Sequence, residues 1–386
     1  MRILELRQSL RYANLERLIV NTAAYLRQAA IETTILVLYN RTRAHLLGED
    51  SSTLPEPHPL LADAARQGVE AYQVCDNSML SPQPLSAILR TLRSRHYDLI
   101  HTHDFKTDVL GLIAGRLMHV PVIATAHGYP RAIRRNEIYR RLDIVVLRLC
   151  RHVVCVSDSI REELCVAGLR PDRLSVVYNG ITVAGIRARA EHAAHTLRDD
   201  LHLQPDDVIV MTVGRLSSEK GHRYLMQAMP DVLAANPRIR LVVVGDGLLR
   251  QNLTRQAAEL GIAERVFFLG FRSDVPALMA QCDLLVNPSV GEALGNVILE
   301  AMALGKPVIG TTAGGMREVI EHGETGLIVP FADSHALADA IRQLAADPQR
   351  LRAMGERGRA RVLSDFTVER MAEGLAEVFR RSIAST

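Results

Sequence analysis

Gly291-Glu-Ala-Leu-Gly-Asn-Val-Ile-Leu-Glu-Ala-Met-Ala-Leu-Gly-Lys-Pro-Val-Ile-Gly310 reads as loop, helix and strand. A short apolar strand, Leu284 to Asn287, precedes it. Pro288 to Gly295 is loop, Asn296 can start a helix, and Gly305 with Pro307 closes it. One acid, Glu292, falls in the loop. The other, Glu300, falls about one turn into the helix. The two are separated by up to roughly 12 Å at about 1.5 Å per residue. Carboxylates accept hydrogen bonds from hydroxyls, so such a pair can grip two ends of one polyhydroxylated ligand.

The same alternation of short apolar strands and amphipathic helices runs outward in both directions. Towards the N-terminus, strands are expected at Arg2–Leu6, Thr33–Tyr39, Val69–Val74, Asp98–Thr102, Pro121–Ala126, Val153–Ser157 and Ser175–Tyr178. A polar stretch carries Pro55, Pro57 and Pro59. After Asn179-Gly180 the pattern lapses, and 184–205 is rich in Ala, Arg and His. A second run begins at 207–214 and continues through 240–244, 266–269, 283–287, 307–310 and 326–329. The chain ends in a helical stretch, Val368–Ile383. Strand–helix alternation predicts parallel sheets covered on both faces. The expected fold is therefore α/β, with two doubly wound, Rossmann-like domains facing a cleft. The first is 1–183 together with 366–386, and the second is 184–365. Ligands of such sheets bind beyond the carboxyl ends of the strands.

Composition agrees with a soluble two-domain chain. The 386 residues exceed what one core usually serves. Trp is absent and aromatics make up 4%, which argues against a nucleic-acid partner held by base stacking. The first 183 residues hold 23 basic and 18 acidic side chains, a net +5 within a total of +3. That excess gathers at Arg131, Arg134, Arg135, Arg140, Arg141, Arg148 and Arg151, either a solvated helix face or a patch for an anionic membrane surface. The five cysteines show no Cys-x-x-Cys spacing, and no apolar run reaches the roughly 18 residues of a membrane span. A cytoplasmic location is expected, with contact to the inner face of the membrane as an option.

Several strand ends carry chemistry. Val213-Gly-Arg-Leu-Ser-Ser-Glu-Lys-Gly-His222 sets Arg215 and Lys220 near a helix start. Cations beside free helix N–H groups make an anion site and stabilise a departing diphosphate. Val244-Gly-Asp-Gly247 is a glycine turn at Gly245 that lacks the third glycine of a dinucleotide fingerprint. The turn Leu269-Gly-Phe-Arg272 offers backbone to a base edge. In Thr125-Ala-His-Gly128, His127 can bond a sugar hydroxyl or donate a proton. His101-Thr-His103 has metal-like spacing but no third placed ligand, so no metal site is expected.

Together these segments resemble the retaining glycosyltransferases of family 4, of GT-B fold, over nearly the whole chain. The resemblance rests on Glu292-x7-Glu300, Ala-Met-Ala-x-Gly-x-Pro-Val-Ile, Gly314-Gly-Met-Arg-Glu-Val-Ile320, 214–221, 244–247, 178–181 and 127–128. It implies hexose transfer from a nucleotide-diphosphate-sugar to a glycan or lipid-linked acceptor, as in cell-surface polysaccharide assembly, with no required metal or cofactor. It further implies that Arg215 and Lys220 bind the diphosphate and Glu300 the ribose. Glu292 with the backbone of Ala293, Leu294, Gly295 and Asn296 would hold the sugar, which His127 also contacts. The final helix would cross back to the first domain. One departure stands out. Where such enzymes carry a Gly-Gly turn after the first strand, this chain has Arg11-Tyr-Ala-Asn-Leu-Glu-Arg17, placing Ala13 and Asn14 at a loop expected to approach phosphate or acceptor. Two rivals stay in view, a sugar-nucleotide epimerase of the same fold and, because of that departure, a non-catalytic sugar-nucleotide-binding protein.

Overall fold

Runs such as Ile35-Leu-Val-Leu38 and Leu241-Val-Val-Val244 are apolar on both faces, so they must sit in the middle of a covered sheet. The computed structural model describes residues 1–9, 12–39, 55–76, 81–128, 134–191 and 196–384. It divides into two compact units. One holds the described residues up to Gly180 and the final helix; the other runs from Ile181 to Thr367.

Among the described residues, the first unit contains β1 (Arg2–Ser9), β2 (Glu32–Tyr39), β3 (Glu70–Cys75), β4 (Leu99–Thr102), β5 (Val122–Ala126), β6 (His152–Cys155) and β7 (Leu174–Val176). They are ordered β3-β2-β1-β4-β5-β6-β7, and every pairing is parallel. The second unit contains β8 (Val208–Val213), β9 (Ile239–Val244), β10 (Val266–Gly270), β11 (Leu284–Val286), β12 (Val308–Thr311) and β13 (Gly326–Val329). Their order is β10-β9-β8-β11-β12-β13, again all parallel. In each sheet the winding reverses once, between β1 and β4 and between β8 and β11. Loops leaving those strands diverge there and open a crevice at the carboxyl edge.

The final helix, Val368–Ala384, belongs to the first unit, as the crossing-back expectation required. Met371, Leu375 and Phe379 bury against Leu18 and Leu26 of the helix Asn14–Leu26 and against Ile3 and Leu99 of the sheet. Each such side chain contributes roughly 1.5–3 kcal/mol by leaving water.

Local details differ from the sequence reading. The polar stretch around Pro55 contains a helix, Pro59–Arg66, because Pro59 suits a first helical position and His58 Nδ1 accepts from the Leu60 N–H at 3.2 Å. The 184–205 stretch holds the helices Val183–Glu191 and Leu197–Asp200, the second capped by the Thr196 hydroxyl. Strand β1 continues three residues past Leu6, which carries Arg7 to an ion pair with Glu16 at 3.0 Å.

Candidate functional site

At the β8/β11 reversal two loops are locked together. From β8 the chain passes Gly214 and Arg215, makes the turn Ser218–Lys220 and enters the helix His222–Ala235. From β11 it runs through 287–295 into the helix Asn296–Ala303. The Val290 N–H donates to the Glu219 carbonyl at 2.9 Å. Gly221 has φ +66°, and a Cβ there would lie 2.0 Å from the Pro288 carbonyl oxygen, so only glycine allows this approach.

Four charges meet on these loops. Lys220 Nζ lies 2.6 Å from Glu292 Oε2. Ser289 Oγ donates to Asn287 Oδ1 at 2.6 Å and sits 3.4 Å from the same Glu292 oxygen. Arg215 pairs with Glu219 at 3.0 Å, and the Ser217 hydroxyl donates to that carboxylate at 2.6 Å. Burial alone would raise the Glu219 carboxyl; the Ser217 hydroxyl, a backbone N–H and Arg215 outweigh it and hold it below its ordinary value. The sequence reading gave Lys220 and Glu292 separate tasks, but here they are bonded to each other. It also missed Glu219. The clue was present, since an acid four residues after Arg215 is a natural counter-ion. Each cation thus rests on a carboxylate. Arg215 is the more accessible of the two to a ligand, its side chain 68% exposed against 26% for Lys220.

The remaining expected residues are placed as follows. Glu300 is the fifth residue of the helix Asn296–Ala303, and Gly295 caps that helix at φ +97°. Leu294 is buried, and the Ala293 carbonyl accepts the Gly315 N–H at 3.2 Å. The Gly245 N–H is spent on the Gly270 carbonyl at 2.8 Å. Arg272 forms a bidentate pair with Asp274 at 2.8 and 2.6 Å through its Nε and Nη2. Ala13 is the N-cap of the helix Asn14–Leu26 in ordinary extended backbone, and its N–H donates to Glu16 Oε2 at 3.0 Å. The backbone at that position needs no glycine, and the Ala13 N–H already has its partner in Glu16. Arg11 lies outside the described residues.

His222 opens the helix after Lys220. It is buried, and among the described residues neither ring nitrogen has a partner. Burial, with Lys220 adding repulsion, lowers its pKa from 6.5 to about 4. As pH falls below 6.5 the unfolded chain takes up this proton and the folded chain does not. Stability is therefore lost progressively down to about pH 4. At about 1.4 kcal/mol per unit, the loss reaches about 3 kcal/mol. His222→Leu is expected to remove that share of the acid destabilisation, read as urea unfolding of both proteins at pH 7 and pH 4.5.

In the first unit, the β1/β4 reversal gathers a second cluster. Glu5 on β1 is the register partner of His101 on β4. Its carboxylate lies 3.0 and 3.1 Å from His101 Nδ1 and 2.6 Å from His103 Nε2. His101 Nε2 meets Thr125 Oγ1 at 2.7 Å, and His103 Nδ1 meets His127 Nε2 at 3.1 Å. Glu5 is thus the third group that the His101-Thr-His103 spacing lacked, and the three could hold a metal ion by proximity. The spacing favours hydrogen bonds instead. Two ligand atoms about 2.1 Å from a tetrahedral metal stand about 3.4 Å apart, well beyond 2.6 Å. An acid inside the apolar strand Ile3-Leu-Glu-Leu6 was the available signal.

Comparisons with known proteins follow the same two-unit division. Residues 15–184 match the family model described as Glycosyltransferase Family 4, and residues 194–361 match Glycosyl transferases group 1. An uncharacterized glycosyltransferase of Methanocaldococcus jannaschii is 30% identical over 300 residues, covering 72% of this chain and 76% of that protein. The UDP-Gal:alpha-D-GlcNAc-diphosphoundecaprenol alpha-1,3-galactosyltransferase of Escherichia coli is 27% identical over 334 residues, covering 83% and 86%. Among solved structures, Anabaena HepE in complex with UDP-glucose superposes with a TM-score of 0.79 at 26% identity, covering 99% of this chain and 100% of that one.

Proposed function

The chain belongs to the glycosyltransferases of family 4, with the GT-B fold, and from that premise we propose that it is a retaining hexosyltransferase. Its donor is a nucleotide-diphosphate-hexose, with a UDP-sugar the first to test. Its acceptor is a glycan or lipid-linked sugar of cell-surface polysaccharide assembly, met on the cytoplasmic side, and no metal or cofactor is required. The observation that carries this reading is the Lys220–Glu292 pair beside Arg215 and Glu219 at the carboxyl edge of β8 and β11. A diphosphate gains charge as the sugar leaves. It can draw Arg215 off Glu219 and share Lys220, which frees Glu292 for the sugar hydroxyls. Glu300 serves the ribose and His127 the transferred sugar.

Two relatives support the donor class, since one is a UDP-galactose enzyme by name and one was solved with UDP-glucose. The test is a nucleotide-sugar panel read by thermal shift, then mass spectrometry and anomeric NMR of the product. A donor that shifts unfolding and yields an α-linked product from an α-linked donor supports the proposal. An inverted product removes retention, and binding without transfer to any acceptor removes the enzyme.

We further propose that the first unit touches an anionic membrane. Ile113, Leu117, Leu142, Val145 and Leu149 are exposed apolar side chains on and just after the helices Phe105–Met118 and Arg134–Leu147. A cavity of about 670 Å³ beside them is lined by Leu149 and by Arg116, Arg151, Arg173 and Arg381. Arg131 and the side chains of Arg134 and Arg135 lie outside the described residues. Among the described helices none is long and apolar enough to cross a membrane. The protein is expected to co-sediment with phosphatidylglycerol vesicles and not with phosphatidylcholine ones; equal binding to both would remove the electrostatic part.

A further inference from the structure

The cluster behind His127 has one consistent arrangement of protons. An ionised carboxylate only accepts, so both nitrogens facing Glu5, His101 Nδ1 and His103 Nε2, must carry hydrogen. With its Nδ1–H turned to Glu5, His101 sets Nε2 against the Thr125 hydroxyl at 2.7 Å. Neutral His103 has a bare Nδ1. The nitrogen 3.1 Å away, His127 Nε2, must therefore donate to it. That leaves the Nδ1 of His127 without a proton.

We infer that Glu5 and His103 are positioning residues that fix His127 as the Nε2–H tautomer, so that its remaining nitrogen can only accept a hydrogen bond. This deepens the proposed function and rests on it in one respect, that His127 meets a hydroxyl of the transferred sugar. The sugar hydroxyl must then be the donor, and His127 is not a general acid. Four features support the arrangement. Glu5 and His103 are buried, which excludes water as a competing partner, and the His101 ring is held from its other edge by Phe379 at 5.1 Å between centroids. Burial opposes the charge on Glu5, but the two imidazoles hold its carboxyl below the usual range. Burial also lowers the pKa values of His103 and His127, which keeps both neutral. Outer-shell partners of this kind set ring orientation and tautomer, and their loss typically lowers activity by about 10–100-fold.

The test needs no ligand at its first step. Full-length protein labelled with 15N-histidine is examined by long-range proton–nitrogen NMR at pH 7.5, with His127→Gln used to assign the ring. A single Nε2–H tautomer for His127 is expected; an Nδ1–H tautomer or an interconverting mixture overturns the inference. In Glu5→Gln the amide NH2 can donate to His103 Nε2, which drives the protons of His103 and His127 onto their Nδ1 atoms. The expected readout is an altered His127 tautomer and a kcat about tenfold lower, with donor KM within about twofold. An unchanged tautomer and kcat overturn it. If Glu5→Gln does not fold, the wild-type spectrum still decides. Failure of the donor panel would sink the transfer reading and leave the tautomer result standing, so the two failures are distinguishable.

Discussion

Lys220→Met lowers transfer turnover by about a thousandfold while the protein stays folded. Methionine keeps the apolar stem of the lysine and removes only the ammonium. Two things follow. The leaving diphosphate loses a fixed positive charge, and removal of one well-placed group that stabilises developing charge lowers kcat by roughly 10²–10³. Glu292, whose side chain is only 14% exposed, also loses its partner at 2.6 Å and now faces an anionic ligand bare. Repulsion adds to the lost attraction, which places the effect at the upper end. The cost in stability is small, about 1 kcal/mol or less, because both groups keep some contact with water. Progress curves with the best donor and a thermal melt of the same preparation check both halves. Pairing Lys220→Met with Glu292→Gln refines the argument. If the two side chains act as a unit, the double variant is no slower than Lys220→Met alone. Turnover near wild type in Lys220→Met would show that the anion is held elsewhere.

Legibility in the sequence divides along a physical line. The strands and the loop–helix around Glu292 and Glu300 could be read because their signal is local: apolar runs of four to eight residues, glycine at turns, proline after a helix. Even the end of β1 was misplaced only where a pairing across space, of Arg7, Gln8 and Ser9 with Val37, Leu38 and Tyr39 of β2, extended it. The pairings of Lys220 with Glu292, 72 residues apart, and of Glu5 with His103, 98 residues apart, were not legible. Each depends on which strands lie beside each other at the winding reversal. No window of sequence carries that. Glu5 and His222 still leave a trace, as a polar residue where an apolar one would pack. The alanine near the expected glycines is explained by backbone geometry: extended backbone suits alanine there, and Glu16 accepts from its N–H.

Gly314→Ala is expected to destabilise the second unit by roughly 3 kcal/mol or more and to weaken donor binding by over tenfold. Gly314 has φ +61°, and a Cβ there would lie 1.7 Å from the Glu292 carbonyl oxygen, with the Glu292 carbonyl carbon at 2.8 Å. No rotamer change relieves this, since both sides are backbone. Either the 288–293 loop or the turn after β12 must move by more than an ångström. The 288–293 loop accepts the Thr311 hydroxyl bond at the Ser289 carbonyl, at 2.6 Å and buried, and donates from Val290 to the Glu219 carbonyl, so movement breaks hydrogen bonds as well. It also swings the Glu292 carboxylate away from Lys220. Left-handed backbone alone costs alanine about 1–2 kcal/mol, and that part must be separated from the clash. Gly261→Ala does so, because Gly261 has φ +69° and nothing within 4 Å of its added Cβ. The argument therefore requires a clear excess of destabilisation in Gly314→Ala over Gly261→Ala, measured by urea unfolding, and unchanged donor affinity in Gly261→Ala, measured by calorimetry. Equal losses in the two variants would mean that the loop yields freely, and that Gly314 does not hold Glu292 in place.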